Sequence, residues 1–232
     1  MKRVGLSVFI FIGGVAVFFS GMRLAAQDPS AIRAFNLVPL SGSEELDKAL
    51  SDPRIGVPEK LLAIQRLGQL AGELAGPQAK DVPPSRLYNP LLGVLTPQKS
   101  VNDHYLLREE ACTALAAFSR LSGSEQLVGP LGKRLLDPAE HEKVRMSAAR
   151  TLSSFRKDSA AAAEQLIEAL NQEMDRGPRP DNINLTTGIV GALGQLGDKR
   201  SFVPLMRVVQ SGFPNTIKRR AQASLESIRW KD

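Results

Sequence analysis

The sequence predicts an all-α protein, an α-solenoid of about five helical hairpins that follows an N-terminal signal or anchor segment. Three observations predict it. One apolar pattern returns along the chain at helical spacing, a second apolar helical stretch precedes each copy, and residues that break helices separate the two.

The recurring pattern is apolar, small or apolar, Leu, apolar at offsets of four, four and three, which puts all four side chains on one helix face. It appears as Leu107, Ala111, Leu115, Phe118; as Val144, Ala148, Leu152, Phe155; as Leu185, Ile189, Leu193, Leu196; and as Ile217, Ala221, Leu225, Ile228. Ala63, Leu67 and Leu70 form a weaker first copy whose leading place is taken by the non-apolar Glu59. The Leu anchors at 67, 115, 152, 193 and 225 recur at separations that straddle the repeat lengths of helical-hairpin arrays. These are the B helices of the hairpins.

The A helices are expected around Leu46–Leu50, Leu91–Leu95, Leu127–Leu136, Leu166–Leu170 and Phe202–Val209. Asp52-Pro53, Thr96-Pro97, Asp137-Pro138, Gly177 to Pro180 and Gly212 to Pro214 end them. Ser41-Gly-Ser-Glu44 and Ser122-Gly-Ser-Glu125 have the order of a capping box, a hydroxyl followed three residues later by Glu, and so mark two A-helix starts. Pro130 and Pro204 fall inside A-helix runs, where the missing amide donor is expected to kink or delay the helix. Gln165 and Gln222 are expected on polar faces.

Residues 1–27 begin with Lys2 and Arg3 and continue into an uncharged apolar run from Val4 to Met22. This is the pattern of an export segment. Leu24-Ala25-Ala26 favours cleavage after Ala26 or Gln27, while the length of the run also suits an uncleaved inner-membrane anchor. The expected organisation is therefore a signal or anchor at 1–27, a linker at 28–42 and a helical-repeat domain at 43–230. Of 30 Lys and Arg against 24 Asp and Glu, three basic residues (Lys2, Arg3, Arg23) lie in the N-terminal segment, so the repeat domain is only mildly basic. That argues against a nucleic-acid partner, which needs a concentrated basic face. Cys112 is the single cysteine, flanked by helix-forming residues, and reads as a small side chain in a helix rather than a reactive thiol.

Leu135-Leu136-Asp137-Pro138, followed by Val144-Arg145-Met146-Ser147-Ala148-Ala149-Arg150-Thr151-Leu152, resembles the HEAT-repeat pattern of an Asp-containing turn, Val-Arg, then Ala-Ala and Leu. Ala192 to Arg200 with Val203-Pro204-Leu205 resembles a repeat-to-repeat junction of the same armadillo-like family, nearest to its phycobilisome-lyase-like (PBS-lyase-like) branch. The resemblance implies an α-solenoid over most of residues 43–230. It also implies that the column Arg108, Arg145, Lys218, interrupted by Thr186, is a structural ladder with Asp103 and Asp137 as acceptors. HEAT arrays serve as scaffolds in unrelated systems, so the fold alone implies no activity.

No catalytic motif is present. His104 and His141 are a whole repeat apart and are expected in exposed turns; no metal set, nucleophile elbow or phosphate loop occurs. Gly188, Gly191, Gly194 and Gly197 alternate with apolar residues at helical offsets and read as positions of close helix approach. The loops 96–104 and 176–182 join A to B helices and should project from one rim, while 77–86 connects repeats. Protein binding is expected there through Asn102, Asp103, His104, Arg176 and Arg179, with Arg150 and Arg219 on B helices as concave-face contacts. The expectation is an exported, non-enzymatic scaffold without cofactor or metal, periplasmic or anchored in the inner membrane facing the periplasm. It binds protein, contacts membrane only through an uncleaved N-terminal segment, and binds no nucleic acid. The alternative, implied by the lyase-like resemblance, is a protein handling a tetrapyrrole or other small ligand.

Overall fold

The computed structural model describes residues 35–74, 76, 79, 82–96 and 103–228. The N-terminal segment, Asn102, most of loop 96–104, parts of 77–86, Arg229 and Lys231 lie outside the described residues. Ten α-helices are described: α1 (Ser43–Ser51), α2 (Val57–Glu73), α3 (Ser85–Leu95), α4 (Tyr105–Leu115), α5 (Glu125–Leu136), α6 (Glu142–Leu152), α7 (Ser159–Asp175), α8 (Ile183–Leu196), α9 (Phe202–Gln210) and α10 (Asn215–Glu226). No described helix is long and apolar enough to cross a membrane.

Consecutive helices pair into five hairpins. Odd helices stack on odd and even on even, giving two parallel rows whose facing sides form one core. The B stripes read from the sequence are that core: Leu107, Ala111, Leu115, Phe118, Val144, Ala148, Leu152, Phe155, Leu185, Ile189, Leu193 and Leu196 are all buried, and of the last copy only Leu225 is half-buried. Asp52, Asp137 and Asp198 shape three of the turns, each carboxylate accepting the backbone N–H two residues on, from Arg54, Ala139 and Arg200.

Two capping expectations fail. α1 follows a 3₁₀ turn at Leu40–Gly42, α5 follows Ser124, and neither start has a side-chain cap. The Ser124 hydroxyl instead donates to Asp158 at the start of the next A helix. Pro130 does not break α5, and Pro204 occupies the third position of α9, where the backbone N–H has no intrahelical acceptor in any case. Gln165 is not on a free polar face. It lies half-buried over Gly132, where a Cβ would come within 2.8 Å of its Cγ.

The even row packs at close range through small and hydroxyl side chains. Ser147 donates to the Glu109 carbonyl (3.1 Å) and Thr151 to the Cys112 carbonyl (2.8 Å) between α4 and α6; two junctions further, between α8 and α10, Ser224 donates to Val190 (3.0 Å) and Ser227 to Gly194 (2.7 Å). A Cβ on Gly194 would stand 2.9 Å from the Ser224 Cα, and one on Gly68 3.1 Å from the Ala114 Cβ. Because the even helices approach more closely than the odd ones, they form the inner side of the curve. Gly188 meets only Met146, at 4.0 Å, and Gly197 ends α8 in the left-handed conformation (φ 69°), so of the four glycines only Gly191 and Gly194 are sites of close approach.

Both ends of the array are finished differently from its middle. Residues 35–42, within the stretch expected to be a linker, pack on the first hairpin: Val38 and Leu40 are buried, and the Val38 carbonyl accepts the Arg66 guanidinium at 3.0 Å. They cover the side of α2 that corresponds, on later B helices, to Thr151 and Ser224, the side facing the preceding repeat. At the other end, Gln222 takes the place held by buried Ile64, Cys112, Ala149 and Val190, and it is exposed together with Arg219, Ala223 and Glu226. A polar outer face is the mark of a capping repeat.

Gly194→Ala should lower stability by roughly 1–3 kcal/mol because Ser224 backbone must move. Gly129→Ala on α5, where nothing lies within 4 Å of the new methyl, should raise it by about 0.5–1 kcal/mol through helix propensity. Urea midpoints of the two variants check the assignment, which fails if Gly194→Ala is as stable as the parent.

Candidate functional site

The A-to-B turns of repeats two, three and four lie along one edge of the stack. His104 and His141 occupy the same place in successive repeats, the N-caps of α4 and α6, where each accepts through Nδ1 the N–H two residues on, from Leu106 (3.3 Å) and Lys143 (3.2 Å). Such an acceptor nitrogen places the proton of the neutral ring on Nε2. Between them lies Tyr105, stacked on His104 (5.2 Å between centroids) and more tightly on His141 (3.8 Å, 9° between planes), with the Lys143 ammonium 6.0 Å from its ring. The result is a His–Tyr–His stack across two repeats.

Below the stack, ion pairs tie one repeat to the next. Arg108 of α4 grips Glu140 of the following turn with two hydrogen bonds (2.9 and 2.8 Å), and Arg134 approaches the same carboxylate at 3.2 Å. Burial pushes the Glu140 carboxyl up, but the bonds from Arg108, the His141 amide and Arg134 outweigh it and hold the group below its ordinary value. Arg145 of α6 repeats the arrangement one step on, donating to the Leu135 carbonyl (2.8 Å) and to Glu173 at the end of α7 (2.8 Å), with both side chains buried. Arg176 closes on the second Glu173 oxygen (2.9 Å) and on Asp181 (3.0 Å).

The expected ladder is therefore present at Arg108 and Arg145, with different acceptors, and no ion pair among the described residues extends it to Lys218. Asp103 contributes its carbonyl to Arg108 (2.7 Å) while its exposed carboxylate stays at 3.6 Å, and Asp137 faces Arg134 rather than Arg145. The true acceptors, Glu140 and Glu173, come from the next hairpin. Lys60 is the unrecognised first member of the column, 2 % exposed, with burial drawing its ammonium below the ordinary value against the charge of Asp52. Thr186, in the fourth repeat, is buried with no partner for its hydroxyl among the described residues.

Of the residues singled out by sequence, Asp103, His104, Arg176 and Arg179 share this rim. The loop at 176–182 is no loose spacer. Asn182 is buried, donates to the Glu173 and Gly177 carbonyls and accepts the Arg179 amide, while Gly177 takes a left-handed φ of 72°. Arg150 and Arg219 are exposed on α6 and α10, on the inner row, and belong to a different surface. Tyr105, Glu140, His141 and Glu173 were missed as site residues. Cys112 is buried, and burial pushes its thiol far up, which suits packing and not reactivity. No cluster of three metal-ligating side chains exists among the described residues. The guanidiniums below the stack are already engaged, leaving Asp103, the imidazole edges, Lys143 and Arg179 to meet another molecule.

Removing one partner of the buried Arg145–Glu173 pair should cost about 3–5 kcal/mol, while Arg145→Met with Glu173→Leu should recover much of it. A double-mutant cycle by chemical denaturation measures this, and additive losses would rule out the pairing. Glu140 has a folded pKa below its unfolded one, so its stabilisation is complete above the unfolded value and is lost as pH falls through the folded one. Glu140→Gln should therefore flatten the acid limb of the stability curve below pH about 4.3. An unchanged slope between the two proteins would contradict the assignment.

No family model matches the sequence, and no curated protein matches it. Among solved structures it is similar to an engineered protein from the Northeast Structural Genomics Consortium, with 19 % identity over 85 % of this chain and 88 % of that one and a TM-score of 0.53. A designed armadillo repeat protein, YIII(Dq)4CqI, aligns over 86 % of this chain and 92 % of its own with 16 % identity and a TM-score of 0.49. At such identity the first likeness speaks for the fold alone; the helix order and the stacking of hairpins make that fold an α-solenoid.

Proposed function

We propose that the protein is an exported, non-enzymatic HEAT-type scaffold, nearest in pattern to PBS-lyase-like repeats, that holds a protein partner at the cell envelope. The observation that carries this is the rim. Three successive turns present aromatic, imidazole and charged groups along one edge, and the ion pairs beneath hold adjacent repeats in fixed register. A preorganised polar and aromatic edge loses little conformational entropy on binding, which is how repeat scaffolds gain affinity without special chemistry. Export is supported by Lys2, Arg3 and the apolar run that follows them.

The test is crosslinking capture from the native envelope with the tagged full chain. Tyr105→Ala combined with Arg179→Glu should reduce recovery of the partner several-fold with unchanged circular dichroism, whereas Gln222→Ala should not. Undiminished capture by the rim variant would sink the rim as the binding edge. N-terminal sequencing of the same preparation tests export: a start near Gln27, or intact Met1 in the membrane fraction, is expected, and intact Met1 in the soluble cytoplasm would overturn it.

A further inference from the structure

We infer that the inner face of repeats three to five is a groove for an extended acidic segment of a protein partner, a proposal that rests on the scaffold reading and names what the scaffold takes. α8 carries no charged side chain over its whole length. It lies between α6, where Arg150 and, toward the rim, Lys143 are exposed, and α10, where Arg220 turns toward α8 and Arg219 stands on the outer end face. No carboxylate among the described residues pairs with any of the four, whereas Arg108, Arg134, Arg145 and Arg176 are all engaged. The acids on these three helices, Glu142 and Glu226, stand at helix ends rather than between the cations.

The shape fits the charge. The floor is shallow at Gly188, where the nearest side chain, Met146, is 4.0 Å from a Cβ position, and at Gly191 it is covered by the Arg220 guanidinium, whose Nε lies 2.7 Å from where a Cβ would be. A partner carboxylate can therefore meet Arg220 above α8 and Arg150 on the flank formed by α6. Two helix-to-helix steps of about 8–10 Å separate the cationic rows, a span that roughly five or six extended residues cover at about 3.3 Å each. One repeat earlier the same row carries the half-buried Glu109 and Glu110 on α4, with burial pushing the Glu110 carboxyl up. An acidic segment is thus attracted to repeats three to five and repelled from repeat two, which fixes its position. Nucleic acid fits less well, because these three helices offer no aromatic side chain for base stacking and the cations are few. A flat bilayer cannot follow a recessed inner curve.

The experiment is fluorescence anisotropy of the full chain with labelled oligoglutamate, oligoserine and oligothymidylate. Oligoglutamate should bind more tightly than oligoserine, weaken as salt shortens the Debye length below about 8 Å, and lose roughly tenfold in affinity in the variant Arg150→Glu, Arg219→Glu, Arg220→Glu. Arg150→Gln with Arg219→Gln, which removes charge at exposed sites only, should give a smaller loss in the same direction if the triple variant fails to fold. Equal binding of oligoglutamate and oligoserine, or full affinity in the charge-changed variants, overturns the proposal. Preference for oligothymidylate overturns it in favour of nucleic acid. Envelope capture that depends on the rim while oligoglutamate fails to bind would remove the groove and leave the scaffold standing; oligoglutamate binding without any capture would do the reverse.

Discussion

The close approach of successive B helices is the constraint on which the rest of the structure depends. A serine or threonine hydroxyl can reach the carbonyl of a neighbouring helix only if nothing larger than an alanine or glycine stands between the backbones. Ser147, Thr151, Ser224 and Ser227 meet that condition opposite Glu109, Cys112, Val190 and Gly194. At Ser147, Thr151 and Ser224 the bond satisfies a hydroxyl that would otherwise be buried at a cost. Because the odd row has no equivalent seam, the two rows differ in spacing, and the stack curves toward the B helices.

The seam sets the positions of the rim. Once α4 and α6 are fixed side by side, their N-caps are fixed too, and His104 and His141 come within reach of one tyrosine. The ion pairs then act across repeats rather than within them: Arg108 reaches forward to Glu140 and Arg145 forward to Glu173. At the next junction Thr186 replaces the arginine, and the end of α9 offers no carboxylate in return. Donor and acceptor disappear together, which is what a buried pair requires, since a lone buried charge costs more than the pair contributes.

The helices and their core faces were legible in the sequence because burial on one side of a helix imposes a period, and a period survives in one dimension. Leu115, Leu152 and Leu193 announced their repeats in this way. Position within a repeat does not reveal a partner in the next one. Asp103 and Asp137 stand out as ladder acceptors because acids in turns are conspicuous, whereas Glu173 is buried inside the last turn of a long helix and resembles any other surface glutamate in sequence. The capping boxes failed for a related reason. Ser124 had a second acceptor, Asp158, available only after two A helices had packed. Tyr105 was passed over because an aromatic residue at a helix start has no period, and its stacking partner His141 lies a whole repeat away.

Rim and inner face respond differently to the same architecture. On the rim, neighbouring guanidiniums and carboxylates neutralise one another, so recognition there falls to aromatic rings and the exposed groups around them. On the inner face the seam consumes only small polar side chains and leaves the longer ones on its flanks unanswered. Glycine at position 191 is needed to let Arg220 lie flat, which brings its guanidinium onto the uncharged surface of α8. A helix weakened by three internal glycines is tolerated because its apolar stripe, Leu185, Ile189, Leu193 and Leu196, is fully committed to the core. The residues that make this helix intrinsically poor, Gly191 and Gly194, are thus the ones that admit Arg220 and Ser224 of the next B helix.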